Sequence, residues 1–283
     1  MVGVSVVVPT FNEDRVIARC LDSVSGWADE IFVVDSDSTD GTVRIAQEYG
    51  AHVLSHPWES GPRQWKWILK NVPMRNEWLL ALDADYVVTT ELRDAIAREL
   101  PASRLDGYYV RHRQMFRGKV LRHGGMYPRH RLCLVRPVAV VFDEDERADP
   151  HFYVARTGRL EFDVVEDNPK DSDLALWVQK QVRFAAWSAH EEFSRTRQMS
   201  VGSLRPGLFT GRNERVLWSK RLWARLPLYW RSLGYFLYRY VVRLGFLDGK
   251  EGYLYHLTQA LVMRTLLDAN LEELREGQSR ARH

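Results

Sequence analysis

Cysteine is scarce in this 283-residue chain: only Cys20 and Cys133 are present, far apart and with no CxxC. That excludes a disulfide framework and a cysteine-based zinc site. Both lie among apolar neighbours, as buried free thiols in a reducing compartment would. No run of about 18 uncharged apolar residues occurs, so no spanning helix is expected. The opening MVGVSVVVPTFNED lacks a basic start, and its apolar run is too short for a secretory signal. GxGxxG and P-loop patterns are missing, which argues against a nucleotidyltransferase or another enzyme built on a glycine-rich phosphate loop. His190-Glu191-Glu192-Phe193 lacks the second histidine of HExxH and is not read as a zinc site. No internal repeat or low-complexity tract is visible. What remains is ordinary globular material, 45% apolar and 27% charged, and long enough to bury a full core.

The net charge of +3 hides an asymmetry. Residues 195–250 hold twelve Lys/Arg against Glu214 and Asp248, a local +10, which leaves −7 on the rest of the chain. Such a segment calls for an anionic partner surface.

Strand and helix patterns alternate through about residue 100. Val4–Val8 is a β-branched run closed by Pro9. Asn12 is placed to cap a helix carrying Val16, Ile17, Cys20, Leu21 and Val24 on one face. Ile31–Val34 ends at Asp35, Asp40 caps a helix that stops at Tyr49-Gly50, and Ala51–Ser55 is a short strand. A helix over about 62–71 precedes the strand Trp78–Leu82, and a helix burying Leu92, Ala95 and Ile96 follows it. Four segments make 107–165 richer in strand: Tyr108–Val110, Arg131–Arg136, Val138–Phe142 and Leu160–Val165. From Asp173 the chain turns helical. Alternation of this kind predicts a parallel sheet with ligands at the carboxyl ends of its strands. The polar clusters fall there: Pro9–Glu13, Asp35–Asp40 and Asp83–Asp85.

Asp83-Ala84-Asp85 follows an apolar strand directly. Paired carboxylates there can hold Mg²⁺ or Mn²⁺, which take oxygen ligands and would neutralise a departing diphosphate. A plain acidic turn is the alternative. Asp35 sits at a strand end without a local capping role and can accept a base N–H. Thr10, Asn12 and Glu13 offer a hydroxyl, an amide and a carboxylate at another strand end.

In order and spacing, VVVPTFNE, VVDSDSTD and LALDAD resemble the family 2 glycosyltransferases. The resemblance implies an α/β fold of the GT-A type, Rossmann-like with a mostly parallel central sheet, over residues 1–170. Residues 1–100 would form the nucleotide-sugar half and 101–170 the acceptor half, with a helical region over 171–283. It implies inversion at the anomeric carbon. Pro9, Thr10, Glu13, Asp35 and Asp37 would hold the nucleotide. Asp83, Ala84 and Asp85 would meet the diphosphate, Asp83 and Asp85 through the divalent cation. Arg63 and Lys66 would meet the phosphates, with a solvated helix face as the alternative. Gly124 and Gly125 would let backbone N–H groups approach the sugar or phosphate, with a bare turn as the alternative. The base that deprotonates the acceptor is expected in the run Asp143–Glu146, Glu144 first and then Asp143.

Arg122-His123-Gly124-Gly125-Met126-Tyr127-Pro128 and Leu244–Gly252 look like a bacterial subgroup that builds lipopolysaccharide core or exopolysaccharides such as colanic acid. Residues 217–247 interleave aromatics with arginines, and Arg231, Arg239 and Arg243 fall on one helical face. Such a segment suits an anionic membrane surface, with residues about 195–250 as the contact; packing on the catalytic domain is the alternative. The expected activity is metal-dependent, inverting transfer of a hexose from a UDP-sugar to a hydroxyl of a lipid-linked saccharide. The expected place is the cytoplasmic face of the bacterial inner membrane. Transfer to a polyprenyl phosphate, or non-catalytic nucleotide binding at the membrane, are the alternatives. No nucleic-acid motif is present, so nucleic acid is not expected as a partner.

Overall fold

Valines dominate the first strand because both faces of the sheet are covered there, the condition under which a parallel strand is a continuous apolar run. The computed structural model describes residues 2–141, 152–195, 218–219 and 222–280. Cys20, Cys133 and every strand belong to a first unit, which takes the chain to Val120, Met126–Val141 and Phe152–Pro169. A second unit takes Leu121–Gly125 and the chain from Lys170.

The first unit runs β1 (Val2–Thr10), α1 (Ile17–Val24), β2 (Ala28–Asp35), α2 (Thr42–Glu48), β3 (His52–Ser55), α3 (Gly61–Asn71), β4 (Trp78–Ala81), β5 (Tyr86–Val88), α4 (Thr90–Glu99), β6 (Gly107–Phe116), β7 (Lys119–Val120), β8 (Arg129–Val135) and β9 (Thr157–Glu166). The sheet order is β3-β2-β1-β4-β8-β6-β9-β5, with β7 hanging on β6. The half formed by β3, β2, β1 and β4 is parallel. In the other half β8 is antiparallel to both β4 and β6, β6 and β9 are parallel, and β5 is antiparallel to β9. Val4, Val6, Val8, Val33 and Leu80 form a core with Ile17, Cys20, Leu21 and Val24 of α1 and Leu92, Ala95 and Ile96 of α4. Each of those larger aliphatic side chains contributes roughly 1.5–3 kcal/mol by leaving water.

Local chemistry departs from expectation in three places. Asn12 does not cap α1. Its backbone is left-handed at φ 55, and its Oδ1 instead accepts the Thr39 N–H at 2.8 Å. The amide therefore ties two loops together, and α1 begins after Val16 with no side-chain cap. Asp40 lies one residue outside the formal cap of α2, Gly41, yet its carboxylate accepts from the Thr42 N–H at 3.0 Å and the Asp14 N–H at 3.2 Å. Burial raises the Asp40 pKa, but hydrogen bonds from Thr42 and Asp14 outweigh it and the net shift is downward. Val138–Phe142 is not a strand over its described residues. Pro137–Ala139 form a 3-10 turn, and Val141 makes an isolated bridge to Tyr153. Pro137 has no N–H to give a ladder and a fixed φ, which outweighs the β-branched composition; Phe142 lies outside the described residues.

The second unit is helical: α5 (Leu174–Arg195), α6 (Trp230–Leu237), α7 (Gly249–His256) and α8 (Met263–Arg280). A π-helical turn, Tyr238–Val242, continues α6, and another, Leu257–Val262, joins α7 to α8. Ala185 and Ala189 of α5 meet Met263, Leu267 and Leu271 at the α5–α8 interface. Two of the three arginines expected on an outward face are turned inward. Arg231 is buried against Glu192 at 2.7 Å and Asp268 at 2.5 Å. Arg239 donates to the Gly124 carbonyl at 2.8 Å and to Gln259 at 3.1 Å. A buried guanidinium needs such partners, and these come from elements distant in sequence. Only Arg243 of the three is exposed.

Candidate functional site

The register of β1 on β2 pairs Pro9 with Val34 and Thr10 with Asp35, so both strands end at one level. There the Thr10 hydroxyl donates to Asp35 at 2.8 Å, and Asp35 also accepts the Ser38 N–H at 2.8 Å and the Ser38 hydroxyl at 2.6 Å. Asp35 is buried and its carboxylate shapes the loop after β2. Asp37, by contrast, is exposed in a left-handed conformation at φ 62, with a long 3.3 Å hydrogen bond from Ser55. Glu13 donates its N–H to the Thr42 hydroxyl at 2.8 Å, which fixes the loop after β1 beside α2.

Gln64 and His56, which no sequence motif marks, complete this end of the sheet. Buried Gln64 of α3 bonds His56 at 2.7 Å and reaches the Ser36 hydroxyl at 3.4 Å. The His56 N–H donates to the Asp35 carbonyl at 2.9 Å. Thus α3, started by Ser60 and Pro62, is stitched to the loop that carries Asp35 and Asp37. Arg63 and Lys66 of the same helix are exposed, and Arg63 pairs with Glu59 at 2.5 Å.

Asp83, Ala84 and Asp85 follow β4, whose neighbour β1 accepts the Leu82 N–H on the Val7 carbonyl at 3.2 Å. Asp85 accepts from Asn168 Nδ2 at 3.0 Å, and its carbonyl accepts the Asp167 N–H at 3.0 Å. The antiparallel register Leu79↔Val135 and Leu80↔Leu134, carried onward, sets Arg131 of β8 opposite Asp83. The guanidinium lies 3.6 Å from the Asp83 carboxylate, donates to the Tyr86 hydroxyl at 2.6 Å and covers the Tyr86 ring. A cation beside a paired-carboxylate turn was invisible in sequence, because the register that brings it there joins positions 48 residues apart, 131 − 83. Burial raises the Tyr86 pKa well above its ordinary value, so its phenol stays protonated.

Among the described residues no group of three or more His, Cys, Asp or Glu assembles as a metal cage. Asp83 and Asp85 remain an all-oxygen pair, a set that fits Mg²⁺ or Mn²⁺ with phosphate and water as the other ligands. A further polar cluster lies on β6 and β9, where buried Asp163 pairs with Arg111 at 3.3 Å, pairs with Arg113, and accepts from the Tyr127 hydroxyl at 3.1 Å. Both thiols are buried. Burial, then the carboxylates of Asp85 and Asp83, holds Cys20 far above its ordinary pKa; burial pushes Cys133 up to about 12.

Gly124 and Gly125 belong to the second unit. The Gly124 N–H is spent on the Arg243 carbonyl at 2.8 Å. A Cβ on Gly124 would lie 2.1 Å from the His256 ring, so the close approach this glycine permits is to that imidazole. Asp143 and Glu144 lie outside the described residues.

Taken by itself, the first unit is a mixed α/β domain with acidic residues gathered where β1, β2 and β4 end. Residues 5–131 match the model of Glycosyl transferase family 2. An uncharacterized glycosyltransferase of Rickettsia felis is 39% identical over 108 residues, 38% of this chain and 38% of that relative. The lipopolysaccharide core biosynthesis glycosyltransferase LpsC of Rhizobium meliloti is 29% identical over 131 residues, 44% of this chain and 47% of its own length. The chain thus matches less than half the length of each of these relatives. Among solved structures, Staphylococcus aureus TarS 1–349 aligns over 98% of this chain and 92% of its own, at 16% identity and a TM-score of 0.43. Glucosyl-3-phosphoglycerate synthase from Mycobacterium tuberculosis, solved with Mn²⁺, UDP and glucosyl-3-phosphoglycerate, aligns over 39% and 44% at 24% identity and a TM-score of 0.32. The likeness to glycosyl transferase family 2 thus lies within residues 5–131, under half of the chain.

Proposed function

We propose that this protein transfers a hexose, with inversion, from a UDP-sugar to a hydroxyl of a lipid-linked saccharide. The product would be a bacterial cell-surface polysaccharide or lipopolysaccharide, made at the cytoplasmic face of the inner membrane. The observation that carries the reading is the gathering of Thr10, Asp35, Asp37, Asp83 and Asp85 at the carboxyl ends of adjacent parallel strands, where α/β sheets bind ligands. The family match and the likeness to LpsC support it.

Exposed Asp37 is better placed than Asp35 to accept from the uracil or ribose, because Asp35 already takes three hydrogen bonds. Pro9, Thr10 and Glu13 would flank the nucleotide, and Arg63 and Lys66 would attract its phosphates. Asp83 and Asp85 would hold Mg²⁺ or Mn²⁺, a cation that neutralises charge on the departing diphosphate. Arg131, now paired with Asp83, adds a second positive group at that place. In the transfer the acceptor oxygen attacks the anomeric carbon and the bond to the UDP oxygen breaks. A carboxylate takes the acceptor proton, and the resemblance assigns that task to Glu144, then Asp143.

Release of UDP from a panel of UDP-sugars, with Mn²⁺ or EDTA, tests the reading. Wild type should release UDP slowly with metal and not with EDTA. Asp85→Ala should lose about a hundredfold or more of that rate, the several kcal/mol that a metal ligand supplies to charge stabilisation. Arg131→Ala should lose about tenfold, with metal dependence retained. Absence of both release and metal-dependent binding of any nucleotide sugar would overturn it.

A further inference from the structure

We infer that the helical unit docks on an anionic lipid bilayer through an apolar ridge formed by α6, the π-turn after it and the following 3-10 turn, Gly245–Asp248. The inference deepens the proposal of a lipid-linked acceptor and rests on that reading for its purpose. Its face differs from the arginine face that the helical spacing had implied.

Along α6 and the π-turn the exposed apolar residues are Trp230, Leu233, Leu237 and Val241, at intervals of three and four, with Val242 in the next row. That spacing makes one stripe on one helical face. Trp230 is 75% and Val242 67% exposed. The opposite face carries buried Arg231, Ser232 and Arg239, so the polar side of this helix points into the protein and the apolar side points out. Water-soluble helices do the reverse, and a contiguous outward apolar stripe marks a contact surface.

Leu244 adds an independent observation. It holds a left-handed backbone at φ 60, and the residue is 46% exposed. Glycine or asparagine would take that conformation at less cost. Strain kept at an exposed leucine points to a use for the side chain outside the folded chain. Leu247 extends the ridge beyond it.

Charge selects the occupant. The only acid between residues 222 and 250 is Asp248, which is buried and accepts the Arg122 and His123 N–H groups at 3.0 and 2.8 Å. Beside the ridge stand exposed Arg243, which donates to Tyr238 at 3.3 Å, and exposed Lys250. A second copy meeting through the same ridge would bring like charges against these cations, and a nucleic acid would have no use for exposed leucines and valines. Anionic headgroups over an acyl layer satisfy both sets of groups, with Trp230 and Tyr238 suited to headgroup depth. Among the described residues no helix is long and apolar enough to cross a membrane, so the ridge would lie in the interface plane. Residues 196–217, 220 and 221 of the basic segment lie outside the described residues.

The test is co-sedimentation of the full chain with phosphatidylcholine vesicles, with and without phosphatidylglycerol, at low and high salt. Wild type should bind the phosphatidylglycerol vesicles, with partial loss in high salt. Val242→Asp and Leu237→Asp should each lower the partition coefficient about tenfold or more, since a charge replaces buried apolar area. Leu244→Gly should also weaken binding while raising the melting temperature, an opposition that a packing role would not produce. No binding by wild type, or Val242→Asp binding as wild type does, would overturn the inference. So would a Leu244→Gly variant that melts lower and binds unchanged, or a wild-type dimer in sedimentation that Val242→Asp dissociates. UDP release without acceptor should survive Val242→Asp. Its absence from wild type would overturn the transferase reading and leave the surface standing.

Discussion

His256 is fully buried, and neither ring nitrogen has a hydrogen-bond partner among the described residues. The ring fills the space left by Gly124 and Gly245, where any Cβ would collide with it. Burial first, then nearby Arg239, lowers its pKa from 6.5 to about 4, while Asp248 opposes weakly. The folded state thus keeps the imidazole neutral where the unfolded chain would protonate it. The unfolded state binds more protons between those two values, so stability is complete above 6.5 and is lost as pH falls toward about 4. Thermal melts across that window should show the loss in wild type and a flatter profile in His256→Gln. Gly124→Ala adds left-handed strain to overpacking against the ring, and should lower unfolding free energy by about 2–4 kcal/mol in denaturant titration.

At the scale of elements, one acid organises a loop. Asp248 accepts the Arg122 and His123 N–H groups and pairs with the His123 ring at 2.8 Å. Asp248→Ala would leave these partly buried donors to water, and should cost about 1–3 kcal/mol and speed hydrogen exchange at the Arg122 and His123 amides. How far elements were legible follows from what fixes them. β1, β2 and β4 announced themselves as apolar runs because each is buried on both faces, and the acidic ends of the site were legible with them. β5 and β7, three and two residues long, carry too little pattern to be read. Inward-facing Arg231 and outward-facing Leu237 reverse what helical spacing alone implied. Their orientation is decided by Glu192 and Asp268, which chain order places far away. For the same reason the placement of Arg131 and Gln64 beside the candidate site was not legible, while the position of Asp83 and Asp85 at the end of their own strand was.

For the whole molecule, the burial of both thiols governs its chemistry toward electrophiles. Thiolate is the reactive form, and apolar burial suppresses it at Cys133 and Cys20 alike. A disulfide-exchange reagent should find no fast-reacting thiol in the native protein, and both cysteines once denaturant is added. A rapid native reaction would show that one of these cores opens locally. This silence also has a practical consequence. The natural chain is already a blank background for thiol-directed labels, with no need to remove cysteines from its core. A single cysteine placed at exposed Val242 would carry a polarity-sensitive dye alone, and its colour would report whether that position sits in water or in oil.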